Sequence, residues 1–317
     1  MWRGASIMET KVINNIKSGY NISNIKNGLN ARNNSCIYSD PIREEAFAGK
    51  PVSVPVIDSH SHICAYYNSG WYQSFTSNKE VISLMEHLGI DCIITAPHIL
   101  VAGRMEDANK AADRAAKEFP GRIYGYISIC PHEGINAIKD AINNYSKNSS
   151  FIGMKFLPGY HGPLACIEYD YALDFANEVG CPVLIHTWSG SPGLNEFERV
   201  VKTRSNLKLM VAHQGGGNGK CTDDLAALMK QYPNLYMEIC GSLFNQYSIE
   251  DMVGMAGEDR VIYGSDMINL DPRYDFGRVV LSTLSYEVKK KILAENFLSL
   301  LQNSQMGKVA CCFANFS

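Results

Sequence analysis

The chain lacks the marks of several large protein classes. Its charges nearly balance, 29 Lys and Arg against 32 Asp and Glu. No clustered basic stripe is offered to a phosphate backbone, which argues against nucleic acid as a partner. No apolar run reaches the roughly 18–20 residues that a bilayer-spanning helix needs. The ten cysteines contain no Cys-x-x-Cys. Cys92, Cys130, Cys181 and Cys240 sit in or beside apolar strand-like runs, where a thiol acts as a small buried hydrophobe, and Cys311-Cys312 lies in the tail. This placement predicts free thiols and a reducing, cytoplasmic setting. No Gly-x-Gly-x-x-Gly follows the first strand-like run, so an open dinucleotide-binding sheet loses its signature.

What is present is ample core and a strong alternation of elements. The first 51 residues read as an N-terminal extension, in which Val12, Ile13, Ile16, Tyr20 and Ile25 have the loose spacing of a short docking helix. Residues 304–317 read as a C-terminal tail. Between them, apolar β-branched runs recur at Val54–Asp58, Asp91–Ala96, Arg122–Ile129 and Phe151–Leu157, and again at Pro182–His186, Leu207–His213, Leu235–Cys240 and Arg260–Asp266. Their starts are about 25 to 37 residues apart, the length of one βα unit. Continuous apolar runs suit strands covered on both faces.

The segments between them have helical period. Lys79–Leu88, Glu106–Phe119 and Tyr169–Val179 each end at a Gly or Pro stop; Asp223–Lys230 follows a Thr222 cap, Ser248–Met255 opens on a capping box, and Ser285–Leu301 closes the domain. Eight such units predict a (β/α)8 TIM barrel over residues 52–303, close to the usual 250 residues of that fold.

In a barrel, functional side chains gather at the C-terminal ends of the strands. His60 and His62, one residue apart, project together from the first strand. His98, His132, His161, His186 and His213 follow at later strand ends, and Asp266 ends the eighth. Seven of the eight histidines thus fall at one rim. A single buried histidine is usually structural; seven converging on one bowl, with a carboxylate, have the chemistry of a divalent-metal site.

Five motifs carry a resemblance: Asp58-Ser-His60-Ser-His62, Gly153-Met-Lys155-Phe, Val183-Leu-Ile-His186-Thr, Val211-Ala-His213-Gln-Gly-Gly and Tyr263-Gly264-Ser265-Asp266. Together the chain resembles the amidohydrolase superfamily, in the branch that includes aminocarboxymuconate-semialdehyde decarboxylase, resorcylate decarboxylases and several lactonases. The resemblance implies that His60, His62, His186 and Asp266 hold one divalent ion, Zn2+ by donor type. Asp266 then takes up a proton, and His213 orients or activates water or polarises a carbonyl. Lys155 is expected to bind a substrate carboxylate or to pair with Asp266 or another rim acid; a carboxylated lysine bridging two ions is the alternative.

Specificity is expected in the loops. Tyr66, Tyr67, Trp71, Tyr72 and Phe75 form an aromatic-rich segment after the histidine pair, suited to closing over a ring-shaped substrate. His161, beside Tyr160, and Arg273 are further candidates for substrate contact. These features predict a metal-dependent hydrolase whose activated water attacks an ester, lactone or amide carbonyl of a small molecule. The alternative is non-oxidative decarboxylation of an aromatic or unsaturated acid. An inactive, ligand-binding barrel is opposed by the competent side chain at every matched position. A small molecule is thus the expected partner, without nucleic acid or membrane; a homo-oligomer is compatible with all of this.

Overall fold

The eight apolar runs form eight parallel strands in chain order: β1 Ile57–Ser61, β2 Cys92–Thr95, β3 Ile123–Ile129, β4 Phe151–Phe156, β5 Pro182–Ile185, β6 Lys208–Val211, β7 Leu235–Glu238 and β8 Val261–Ile262. Each pairs with its successor in one eight-stranded sheet. This computed structural model describes residues 40–63, 77–188, 191–216, 219–241 and 247–306. The docking-helix positions and the aromatic segment with Trp71 lie outside the described residues. Among the described residues no helix is long and apolar enough to cross a membrane.

A short helix, α1 (Pro41–Phe47), precedes the barrel. The helices that follow the strands are α2 (Asn78–Leu88), α3 (Met105–Glu118), α4 (Gly134–Tyr145), α5 (Ile167–Val179), α6 (Leu194–Lys202), α7 (Gly219–Met229) and α8 (Ile249–Ala256). After β8 come α9 (Pro272–Val280), α10 (Tyr286–Lys290) and α11 (Asn296–Leu301). One apolar cluster joins strand residues such as Ile93, Ile127, Val183 and Leu209 to helix residues such as Met85, Ala112, Leu173 and Val200. Burying a side chain of this size stabilises by roughly 1.5–3 kcal/mol.

Three local expectations are corrected. The first strand starts later than Val54–Asp58. Pro55 has no N–H to pair, and the Val56 amide bonds Asp91 Oδ2 at 2.8 Å, so pairing begins at Ile57 with Cys92. Thr222 does not cap its helix: α7 starts at Gly219, with Lys220 reaching Asp224 one turn on at 2.5 Å. The last helix is interrupted by a π turn at Lys291–Glu295. Ile292 in that turn accepts a backbone bond from Tyr263 at 3.0 Å. That bond draws Tyr263 away from a regular ladder, which is why β8 is far shorter than the apolar run containing it.

Closure between β8 and β1 is made bond by bond. Ser59 donates to the Tyr263 carbonyl at 3.1 Å and Asp266 to the His60 carbonyl at 2.8 Å. Asp58, fully buried, accepts from the Ser265 amide at 3.0 Å, the Ser265 hydroxyl at 2.5 Å and the His60 amide at 3.1 Å. Ser59 and Ser61 donate their hydroxyls to the carbonyls of Tyr263 and Ile94. Polar residues are therefore tolerated inside β1 because each has a partner.

Gly153 in β4 marks a tight approach. A Cβ there would run into the Pro182 carbonyl oxygen and lie 3.1 Å from the Tyr126 ring. Gly153→Ala should therefore destabilise by about 1–3 kcal/mol, the usual cost of overpacking. Urea denaturation should show a lower midpoint at unchanged slope; an unshifted midpoint would mean that the β4–β5 contact yields freely.

Candidate metal centre

Side chains from β1, the turn after β6, and the segment after β8 meet at the C-terminal mouth of the barrel. His62 places Nδ1 2.7 Å from the Ala96 carbonyl, so Nδ1 carries the proton and Nε2 keeps its lone pair. That Nε2 lies 3.1 Å from Asp266 Oδ1, and His60 Nε2 lies 3.7 Å from the same oxygen. These three groups converge closely enough to hold one cation. His186 sits 3.1 Å from His213, Nδ1 to Nε2, and its own Nε2 is buried with no hydrogen-bond partner. A buried nitrogen without a partner is an atom that a bound cation would satisfy, although His186 stands outside the group of three just named. The donor set, imidazole and carboxylate, suits a divalent transition ion.

Beneath the mouth lies a second polar tier. Lys155, fully buried, extends from β4 to put Nζ 2.8 Å from His60 Nε2. Glu238, at the end of β7, holds His60 Nδ1 at 2.9 Å with Oε2 and the Cys240 amide at 2.7 Å with Oε1. The Cys240 thiol stands 3.0 Å from Glu238 Oε2 and 3.1 Å from His213 Nδ1. His60, His213, Glu238 and Cys240 form a second group of metal-competent atoms, overlapping the first through His60.

Burial governs the charges here. It holds His60 and His186 well below the ordinary imidazole value, helped by Lys155 beside His60 and by His213 beside His186. It lowers His213 to about 4 and Lys155 to about 8, the latter opposed by Asp266. It also raises the Glu238 carboxyl. Burial works against ionised Asp266 too, but its close contact with His62 and the other imidazoles around it outweigh that and keep its carboxyl well below the usual range. Neutral imidazoles beside a carboxylate are the protonation states that metal ligands need.

Two site residues hold a left-handed backbone although neither is glycine: His213 at φ 53° and Asp266 at φ 54°. Each such residue costs of order 1–3 kcal/mol. Local bonds offset this: the Asp266 carbonyl accepts from Asn269 at 2.9 Å, and the His213 carbonyl from Gly216 at 3.0 Å. Gly264 supplies clearance, since a Cβ there would collide with Glu238 and come within 2.7 Å of the His60 Cβ.

The mouth opens into a cavity of about 120 Å3. His62, His98, His186 and His213 edge it, and Leu157, Tyr160, Trp188 and Leu270 supply apolar wall. The Tyr160 ring lies 5.2 Å from that of His186, and Trp188 meets His213 edge-on at 5.7 Å.

Of the residues singled out from sequence, His60, His62, His186, His213 and Asp266 come together. Lys155 reaches the cluster from below and contacts His60; no ion pair joins it to Asp266 among the described residues. His161 is buried against His132, with ring centroids 5.6 Å apart, and does not line the cavity. Arg273 is exposed and spends its guanidinium on Asp271, Nε to Oδ1 at 2.8 Å, so it does not line the cavity either. Cys240, read as a plain hydrophobe, is buried but polar in its contacts. His98, placed at the rim from sequence, edges the cavity; Glu238, Trp188 and Asn269 were not singled out as site residues. The sequence signal for Glu238 was a lone charge inside the Leu235–Cys240 apolar run.

Three solved structures illustrate what this chain is similar to. They are 2,6-dihydroxybenzoate decarboxylase from Rhizobium (TM-score 0.58, 12% identity, 78% of this chain and 98% of that one), 5-carboxyvanillate decarboxylase from Sphingomonas paucimobilis (0.62, 10%, 80% and 100%), and a dihydroxybenzoic acid decarboxylase from Polaromonas with bound manganese and the inhibitor 2-nitroresorcinol (0.55, 13%, 78% and 97%). At such identities the likeness is one of fold. A search of curated proteins finds no match. The amidohydrolase family model matches residues 93–300, from the second strand into the final helix, and so spans most of the barrel that assembles this cluster. The chain belongs to the amidohydrolase family and has the architecture of its metal-dependent enzymes.

Proposed function

We propose that the protein is a metal-dependent, non-oxidative decarboxylase of a ring-bearing aromatic or unsaturated carboxylic acid, with Zn2+ the ion its donors favour. The observation that carries this is the cavity. At about 120 Å3 it is near the size of an apolar cavity that takes up benzene, roughly 150 Å3. Tyr160 and Trp188 offer flat faces beside His186 and His213. The decarboxylase relatives support the reading, as do the absences among the described lining residues, which include neither Lys nor Arg. A substrate carboxylate entering here therefore meets imidazoles and the metal position rather than a cationic clamp. Hydrolysis, the first expectation from sequence, has no comparable support in the site.

His60, His62, His186 and Asp266 would hold the ion. When bound it supplies Lewis acidity, drawing charge from the substrate's acid group. The apolar wall excludes water and orients the ring. Breaking the bond to CO2 leaves an electron pair on the ring carbon, which must take one proton. Asp266, at the edge of the cavity, is positioned to carry that proton on a carboxyl oxygen. The Asn269 amide, 3.1 Å from Asp266 Oδ1, orients the group.

Purified protein loaded with Zn2+ or Mn2+ should release CO2 from 2,6-dihydroxybenzoate-like acids, and in D2O the product should carry deuterium at the vacated carbon. Chelation should abolish this, and metal return should restore it. Lactone ring opening with no CO2 from any aromatic acid would replace the decarboxylase reading with the hydrolytic one.

Asp266→Asn should lower turnover by about 10²–10⁴-fold, the typical contribution of a proton-transfer group, and should weaken metal binding. The fold should persist, because the amide oxygen can still accept from Asn269. Near-normal turnover in a folded, metal-loaded variant removes Asp266 from the mechanism.

A further inference from the structure

We infer that Glu238 is the positioning residue that fixes which ring nitrogen is free on two of the candidate ligands, His60 by direct contact and His186 through Cys240 and His213. This rests on the reading of both histidines as metal ligands, although the proton positions themselves can be measured without any metal.

The second metal-competent group could be taken as another ion site, but its distances speak for hydrogen bonds. Ligand atoms around a tetrahedral zinc, with bonds of about 2.0–2.3 Å, lie roughly 3.3–3.8 Å apart. Here His60 Nδ1 to Glu238 Oε2 is 2.9 Å, Cys240 Sγ to the same oxygen 3.0 Å, Cys240 Sγ to His213 Nδ1 3.1 Å and Cys240 Sγ to His60 Nδ1 3.2 Å. These contacts form a chain that leads to the mouth through the 3.1 Å contact between His213 and His186.

The direction of each bond follows from what each group can do. An ionised carboxylate only accepts and a lysine ammonium only donates. His60 stands between the two, with Nδ1 on Glu238 and Nε2 on Lys155, 2.8 Å away. Both ends require the same arrangement: the proton on Nδ1 and the lone pair on Nε2. The Cys240 thiol has one proton, and Glu238 takes it. The sulfur is then an acceptor, so His213 must carry its proton on Nδ1 and present a lone pair at Nε2. That lone pair receives the Nδ1 proton of His186, and His186 Nε2 is left bare. This is the buried nitrogen that has no partner. His62 reaches the same state separately through the Ala96 carbonyl. All three histidines of the proposed ligand set thus carry the proton on Nδ1, and for two of them the instruction begins at one carboxylate on β7.

Besides His60 and the Cys240 thiol, Glu238 accepts the backbone amides of Cys240 at 2.7 Å and His213 at 3.3 Å, so it also holds the two turns that carry this chain of contacts. It is fully buried, its ion pairing among the described residues is with His60 alone, and it does not line the cavity. Groups behind metal-bound histidines typically contribute 10–100-fold to metal affinity.

The test is long-range proton–nitrogen NMR of the histidine rings in metal-free protein, joined to metal affinity measured against a chromophoric chelator. Wild type should show the Nδ1-protonated form at His60 and His186. In Glu238→Gln, the amide oxygen keeps the Cys240 amide and the NH2 faces His60 Nδ1. Without its acceptor, the His60 proton should no longer be held on Nδ1 alone, with Lys155 the one group still opposing its place on Nε2, and metal affinity should fall about 10–100-fold. Cys240→Ser, whose hydroxyl both donates and accepts, should keep both tautomers. Cys240→Val should release His186 while leaving His60 unchanged, a separation that general loosening of the core does not produce. A His60 proton on Nε2 in wild type overturns the inference, as does a Glu238→Gln protein with unchanged His60 tautomer and metal affinity. So does a sulfur neighbour of the metal in X-ray absorption, since Cys240 would then be a ligand. If Glu238→Gln does not fold, the wild-type spectrum and the two Cys240 variants decide. A protein with these tautomers that decarboxylates nothing would refute the proposed reaction and leave this inference standing.

Discussion

The site depends on one buried carboxylate at the seam of the barrel. Asp58 on β1 binds both the amide and hydroxyl of Ser265 and the amide of His60. It therefore ties the last strand to the first and sets the height at which His60, His62 and Asp266 face one another. Burial raises its carboxyl to about 7 despite these three donors. Hydrogen bonds to a charged acceptor are worth about 1.5–3 kcal/mol each, and a buried donor left unmatched costs as much. Without Asp58 the closure would keep the bonds of Ser59 to the Tyr263 carbonyl and of Asp266 to the His60 carbonyl, but would lose the side-chain tie that joins Ser265 to the His60 amide.

The barrel was legible because its signal is repeated eight times. Continuous apolar runs spaced by helical patterns leave few other ways to bury both faces of the strands. Strand ends were harder to place. At β1 the shift comes from a proline and from Asp91 capturing the Val56 amide. At β8 it comes from a helix carbonyl some thirty residues downstream in sequence. Such competitors are not local, so periodicity could not show them. The residues of the candidate metal centre were readable because imidazoles and acids are conspicuous at the ends of apolar runs. Glu238 and Cys240 were not, because their roles come from contacts across the barrel. Arg273 shows the opposite case: a guanidinium near the rim is conspicuous in sequence, but its pairing with the neighbouring Asp271 is visible only in the structure.

The interior holds more charge than a core of this kind usually tolerates. Around the site Asp58, Lys155, Glu238 and Asp266 are all buried, three acids against one base, with burial raising the carboxyls of Asp58 and Glu238. Burying ions is costly unless they are paired or neutralised. Neutral histidines relieve part of this by donating hydrogen bonds, but they add no positive charge. A divalent ion at the mouth would bring the tally close to balance. In this sense the excess of acid is itself part of the design of the site, since it favours a cation there and disfavours a free anion.

The seam also has a consequence for how the molecule is made. Asp58 and Ser265 are 207 positions apart in sequence, and the helix carbonyl that receives Tyr263 lies later still. Contacts of such separation form late, because loop closure must be paid for before they stabilise anything. During synthesis the histidine pair of β1 emerges early and waits, with polar side chains exposed, until nearly the entire chain has left the ribosome. A nascent chain stopped just short of the π turn has all eight strands yet lacks the Ile292 carbonyl that receives Tyr263 at the seam. Completion of the seam is thus a report that translation has run to the final helices.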